Sequence, residues 1–224
     1  MSPKEVEQLM SSRKKPGAPE SRRPLKGNLL VITGPSGVGK GTVLQRLLEV
    51  IPKLTKSVSV TTREIRPGEA EGIDYFFRTR KQFAKMLEEN NFLEHAEFAG
   101  NLYGTPRAWV EHELRQGRDV ILEIEVKGAR QVREKFPTAV LVFLSPPSFD
   151  ALRSRLKIRG TETPMKMALR LTQARQEMRS RGDFDYEVVN DDINDAVNNL
   201  GHIVYAERCR IREHEDTSSP NEHN

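Results

Sequence analysis

Cysteine is almost missing from this 224-residue chain: Cys209 stands alone. No internal disulfide and no thiolate metal cluster can form from it, which fits a reducing compartment. No run of roughly 18 apolar residues occurs, so no spanning helix is expected. The first 26 residues hold no apolar segment of the kind a secretory signal needs, and Glu5 and Glu7 weigh against an organelle transit peptide. A cytoplasmic protein is the expectation. An excess of one charge sign is missing too, once the first segment is set aside. Residues 1–26 carry seven Lys/Arg and three Glu, and the rest of the chain carries 29 of each sign. The formal surplus of +4 therefore belongs to a Pro/Ser/Arg-rich tail, expected to be disordered because it cannot bury a core. Neither nucleic acid nor a membrane is an expected partner. Residues 208–224 are read as a second polar tail.

What is present is a rhythm of short apolar runs and helical patterns. "GNLLVITG" reads as a buried strand feeding a glycine loop. After it, Val43, Leu44, Leu47, Leu48 and Ile51 share one helical face, and Pro52 closes the helix. "RDVILEIEV" (118–126) and "TAVLVFLSP" (138–146) read as interior strands, and "DYEVVND" (185–191) as a further one. Helical patterns follow in "SFDALRSRLKIR", in "PMKMALRLTQARQEMRSR" and from about Ile193 to Arg212. Strands alternating with helices predict a parallel sheet covered on both faces. Residues 59–110 break the rhythm. They read as an inserted subdomain containing a helix at "KQFAKMLEENN", with Phe76, Phe77, Phe83, Phe92 and Phe98 as its core. His95 and Trp109 show no ligand spacing and read as packing residues.

The chemistry starts at "GPSGVGKGT", residues 34–42. Gly34, Gly39 and Lys40 fit the spacing of a phosphate-binding loop between a strand and a helix. Glycines let backbone N–H groups converge on phosphate oxygens, and the helix N-terminus adds a favourable dipole. Gly41 stands where many such loops carry the hydroxyl that holds Mg²⁺. Thr42 is the nearest alternative. Mg²⁺ can also rest on phosphates, water and acidic residues, because it needs few protein ligands. Glu123 and Glu125, two apart on a predicted strand, would point to one face and reach such a metal through water. Ser36 offers a second hydroxyl inside the loop. Arg63, Arg66, Arg155, Arg159 and Arg170 are candidates for the cations that phosphoryl transfer requires, although such arginines taken singly are usually surface salt-bridge partners.

Five stretches, "GPSGVGKGT", "SVSVTTREIRPGEAEGIDYFF", "FLEHAEFAGNLYGTP", "ILEIEVKGA" and "RLKIRGTET", resemble the guanylate kinase family in order and spacing. The resemblance covers residue 28 to about 207. It implies an α/β fold: a P-loop three-layer core with a parallel sheet, an inserted GMP-binding subdomain (59–110) and a helical lid (155–170). It implies transfer of the ATP γ-phosphoryl group to GMP with Mg²⁺, a step of purine nucleotide metabolism. Ser59, Arg63, Arg66, Tyr75 and Tyr103 match positions that grip the GMP phosphate. Glu94 and Thr105 match those that read guanine, and Glu123 an acidic position that also contacts the base. On the donor side, Gly34, Pro35, Ser36, Gly37, Val38, Gly39, Lys40, Gly41 and Thr42 form the phosphate loop. Arg155, Arg159 and Arg170 match arginines that close over the transferring group. Asn190 matches a position lining the adenine pocket. Lys127 stands where glutamine is expected.

Three rivals remain at this point. A non-catalytic guanylate-kinase-like binding module typically lacks the loop or its lysine. A kinase for phosphorylated sugars would have no use for Glu94, Thr105 and the tyrosines. A nucleic-acid binder has only the first tail in its favour.

Overall fold

The computed structural model describes residues 27–158 and 164–211. Arg159, the centre of the expected lid and most of both expected tails lie outside the described residues. Strand β1 (Leu29–Thr33) is buried throughout and sits at the middle of a parallel five-stranded sheet. The order is β2-β7-β1-β8-β9, with β2 (Leu54–Lys56), β7 (Asp119–Glu123), β8 (Val140–Ser145) and β9 (Tyr186–Val189). Burial on both faces of β1, β7 and β8 explains why those three segments read as continuous apolar runs rather than alternating ones.

The period-2 geometry of β1 divides the core in two. Leu30 and Ile32 pack with Val43, Leu44 and Leu47 of helix α1 (Lys40–Val50). Leu29 and Val31 pack on the other side, in a cluster that includes Val110 and Leu114 of helix α3 (Arg107–Arg115) and Val132 of α4 (Val126–Lys135). The first cluster continues into α5 (Phe149–Ile158), α6 (Pro164–Arg179) and α7 (Ile193–Arg208) through Leu152, Ala174 and Leu200. Helices thus cover both faces.

A second sheet, in the order β4-β3-β6-β5, is built from Val60–Thr61 (β3), Phe76–Phe77 (β4), Phe92–Phe98 (β5) and Asn101–Pro106 (β6). Strands β5 and β6 form a hairpin whose turn places Ala99 and Gly100 at φ 49° and 76°. Helix α2 (Arg80–Glu88) lies between β4 and β5 in the chain and starts with a reciprocal capping box between Thr79 and Gln82. Phe76, Phe83 and Phe92 are buried in the same cluster as Leu29 and Val31, so the two sheets share a core.

Several sequence expectations need correction. The strand read over 118–126 stops at Glu123, because its last partner on β1 is Ile32. Glu125 is instead the N-cap of α4. Phe98 is not core: it lies at the hairpin tip and is 65% exposed. The last helix ends at Arg208, four residues earlier than read. Strand β2 and helices α3 and α4 had no counterpart in the sequence reading.

The sheet edge opposite the glycine loop is stapled. The carboxylate of Asp119 accepts from the Asn28 backbone N–H (2.7 Å) and from Arg208 Nε (2.7 Å). Arg208 Nη2 also donates to the Pro52 carbonyl (2.6 Å). Arg208, at the end of α7, and Asp119 together tie the starts of three neighbouring strands.

Candidate active site

At the carboxyl end of β1 the chain turns through residues 34–39 into α1. Gly34 and Gly39 are fixed by geometry as much as by flexibility. A Cβ on Gly34 would lie 2.2 Å from the Leu144 carbonyl oxygen, and Gly39 has φ +98° with Asn190 Nδ2 only 2.8 Å from its would-be Cβ. No side chain caps the first turn of α1, so its N–H groups are left for a ligand. Lys40, in that first turn, folds back to donate to the Gly34 carbonyl (2.5 Å) and the Pro35 carbonyl (3.3 Å). Burial lowers its pKa, and Glu177, Glu123 and Glu125 oppose that shift.

Helix α6 faces the loop. Arg170 Nη2 donates to the Ser36 hydroxyl (2.7 Å). One helical turn further, Gln173 donates to Glu177 (3.0 Å), whose pKa burial raises. Behind the loop, Asn190 Nδ2 donates to the Val38 carbonyl (2.8 Å) and Arg155 Nη1 to the Asn190 carbonyl (2.8 Å). Asn190, just past β9, and Arg155, on α5, therefore brace the loop and do not line the open cleft, whereas Arg170 does. Thr42 is exposed on α1.

The cleft itself has a volume of about 670 Å³ and runs from Gly34, Ser36 and Lys40 across to Ser59 and Tyr75, which immediately precede β3 and β4, and to Thr105 of β6. Glu123 and Glu125 sit between, at the end of β7. Glu123 pairs with Lys56 at 2.7 Å. Glu94 lies behind Thr105, whose hydroxyl donates to Glu94 Oε1 at 2.6 Å, and only 5% of the residue is exposed. Burial raises its pKa and the Thr105 hydrogen bond opposes the rise. Helix α4 reaches it with a glycine, since a Cβ on Gly128 would stand 2.7 Å from Glu94 Oε2. Arg63 lies over the Tyr75 ring (5.3 Å to its centre) and bonds Glu69 (2.7 Å), while Tyr75 meets Tyr103 edge-on. Arg66 is exposed on the adjoining turn.

Sequence reasoning missed Lys56, Glu69, Gln173 and Glu177. The last two were within reach of it: Arg170, Gln173 and Glu177 recur at helical spacing on one face of α6. Among the described residues no three His, Cys, Asp or Glu side chains cluster as a metal cage. Glu123 and Glu125 beside the phosphate loop nevertheless suit Mg²⁺, which keeps most of its shell as water and phosphate. No described helix is long and apolar enough to cross a membrane.

A glycine loop with its lysine faces a buried carboxylate–hydroxyl pair across one cleft, and residues 26–207 match the family model described as guanylate kinase. The chain belongs to the guanylate kinase family. A curated guanylate kinase of Synechococcus sp. (strain JA-3-3Ab) is 50% identical over 188 residues, covering 83% of this chain and 87% of that one. The guanylate kinase of Desulfitobacterium hafniense (strain Y51) is 49% identical over 186 residues, 83% and 93% of the two chains. The crystal structure of guanylate kinase from Anaplasma phagocytophilum superposes with a TM-score of 0.66 at 34% identity, over 84% of this chain and 89% of that one. Guanylate kinase membership accounts for the parallel core sheet and for the phosphate loop together.

Proposed function

We propose that the cleft transfers the γ-phosphoryl group of ATP to GMP, giving ADP and GDP. The observation that carries this reading is Glu94, buried and hydrogen-bonded to Thr105, the residue that lines the cleft on the side away from Lys40. A carboxylate can accept from guanine N1–H and the 2-amino group, whereas adenine presents N1 as an acceptor. AMP would meet that carboxylate with an acceptor where guanine offers donors, and sites built on such hydrogen bonds discriminate strongly.

In this reading the backbone of residues 34–42 and Lys40 hold the ATP phosphates. Ser59, Arg63, Arg66, Tyr75 and Tyr103 hold the GMP phosphate, and Glu123 assists Glu94 and Thr105 at the base. Arg170 approaches the transferring group from α6, and Arg155 and Asn190 act by keeping the loop in shape. Arg159 has the same assignment as Arg170 from the sequence alone. Residues 59–110 act as the GMP-binding unit and 155–170 as the lid, within a kinase domain of residues 27–207. Thr42, Glu123 and Glu125 would hold Mg²⁺, directly or through water, and the bound ion supplies charge neutralisation between the phosphates. Catalysis is then positioning and electrostatics, with no covalent intermediate on the protein. A cytoplasmic place in purine nucleotide metabolism belongs to the same reading.

A coupled assay of ADP formation from Mg-ATP, with GMP, AMP, CMP and UMP supplied separately, tests it. Turnover is expected with GMP alone. Folded protein that binds GMP and turns over none of them would move the non-catalytic module to the front.

A further inference from the structure

The segment "REIRPGE" is an ordered device. Pro67 and Gly68, the latter at φ +88°, turn the chain so that the Glu69 N–H donates to the Arg66 carbonyl (3.0 Å). The same turn brings the Glu69 carboxylate back over its own loop. One oxygen, Oε2, accepts from the Arg66 backbone N–H (2.9 Å), and the other, Oε1, accepts from Arg63 Nη2 (2.7 Å). Glu69 is thus held at both oxygens. Its pKa lies below the ordinary carboxylate range, because the hydrogen bonds from Arg63 and Arg66 favour the ionised form.

Arg63 is fixed in turn. Its Nη1 donates to the Glu64 carbonyl (2.8 Å), and its guanidinium lies over Tyr75, a cleft residue. Only 12% of the Arg63 side chain is exposed. A long side chain that would otherwise sample many rotamers is held in one place beside the acceptor half of the cleft. With five N–H groups, Arg63 still has donors left for phosphate oxygens.

We propose that Glu69 is a positioning residue: it holds Arg63 against Tyr75 so that the receptor for the acceptor's phosphate exists before the acceptor arrives. This rests on the reading of Arg63 as a phosphate ligand. The alternative geometry, in which Glu69 occupies Arg63 as a rival anion, predicts the opposite sign. The turn opposes it, because the carboxylate is pinned by Arg66 as well as by Arg63. A phosphate would add to the arginine rather than replace the glutamate.

The test separates the phosphate from the base. Calorimetric affinities for GMP and for guanosine give, as a ratio, the contribution of the phosphate group. In Glu69→Gln that ratio is expected to fall about tenfold while the guanosine affinity holds, because pre-organisation is lost only at the phosphate. In an Arg63→Ala background, Glu69→Gln should change the ratio no further. A general structural role would weaken guanosine as well and persist without Arg63, and would overturn the proposal. An unchanged or increased ratio in the single variant would overturn it too, an increase showing that Glu69 competes with phosphate. Should Glu69→Gln lose its thermal transition, Glu69→Asp takes its place, since it keeps the charge but shortens the reach. If the unaltered protein binds GMP no better than guanosine, the acceptor reading itself falls. A normal ratio there with no effect of the variants would sink only the role of Glu69.

Discussion

The two halves of the cleft are made of different material. The donor half is backbone: consecutive residues whose glycines let the chain curl, with Lys40 resting on the loop's own carbonyls. The acceptor half is side chain on side chain, with Thr105 on Glu94, Glu69 on Arg63 and Lys56 on Glu123, drawn from separate strands and turns. A backbone cradle recognises phosphate in any triphosphate and says little about the base. Paired side chains with defined donors and acceptors can tell guanine from adenine. On the proposed reading, class of ligand and identity of ligand are decided by different chemistry at opposite walls of one cavity.

Variants can separate those walls. The largest loss is expected for Lys40→Met, about a thousandfold in kcat through the missing phosphate cation. GMP affinity, measured without ATP, should stay where it was. If GMP binding fell in parallel, the two halves would not be independent. Glu94→Gln should lower kcat/KM for GMP about a hundredfold and narrow the preference for GMP over AMP, with ATP affinity unchanged.

The next effect depends on pH. Burial raises the pKa of Glu94 above its ordinary 4.5, so its charge is lost as pH falls through that raised value. GMP affinity should then weaken by up to about tenfold per pH unit, and the slope should vanish in Glu94→Gln. Fold stability moves in the opposite direction. A carboxyl that holds its proton more tightly when folded favours the folded state below 4.5, and that contribution is lost as pH rises through the raised value. Gly41→Ser is the smallest change. A Cβ there would meet only Glu123 Oε1, at an ordinary 3.9 Å. Both stability and kcat should stay within about twofold. A larger loss would mean that the donor wall depends on the space beside Glu123.

The same contrast explains what could be read from the sequence. Strand β1, the loop and α1 form one contiguous segment in which spacing, glycine placement and helical period all point the same way. Glu94 and Thr105 carry no local pattern, and only resemblance singled them out. Their meeting depends on the β5–β6 hairpin and on Gly128 of α4. That helix was itself hidden, because its apolar positions are few and interrupted by charge. Glu125 reads as a strand residue in the sequence because an extended apolar run looks alike with or without a ladder partner. Phe98 looks like core in the sequence because the other phenylalanines around it are largely core, yet its place at the hairpin tip exposes it. Glu69 and Lys56 went unnoticed because a charged residue after a turn, or at a strand end, usually just faces water.

The staple at the far edge of the sheet has a temporal meaning. Asp119 and Pro52 receive the side chain of Arg208, so this tie between the starts of β7 and β2 forms only once that arginine has been synthesised, whereas the Asn28–Asp119 bond between β1 and β7 does not need it. During translation the phosphate loop can emerge long before this clasp is available. The clasp beneath the sheet thus belongs to the last stretch of the described chain to be made, far behind the loop whose strand it helps to hold.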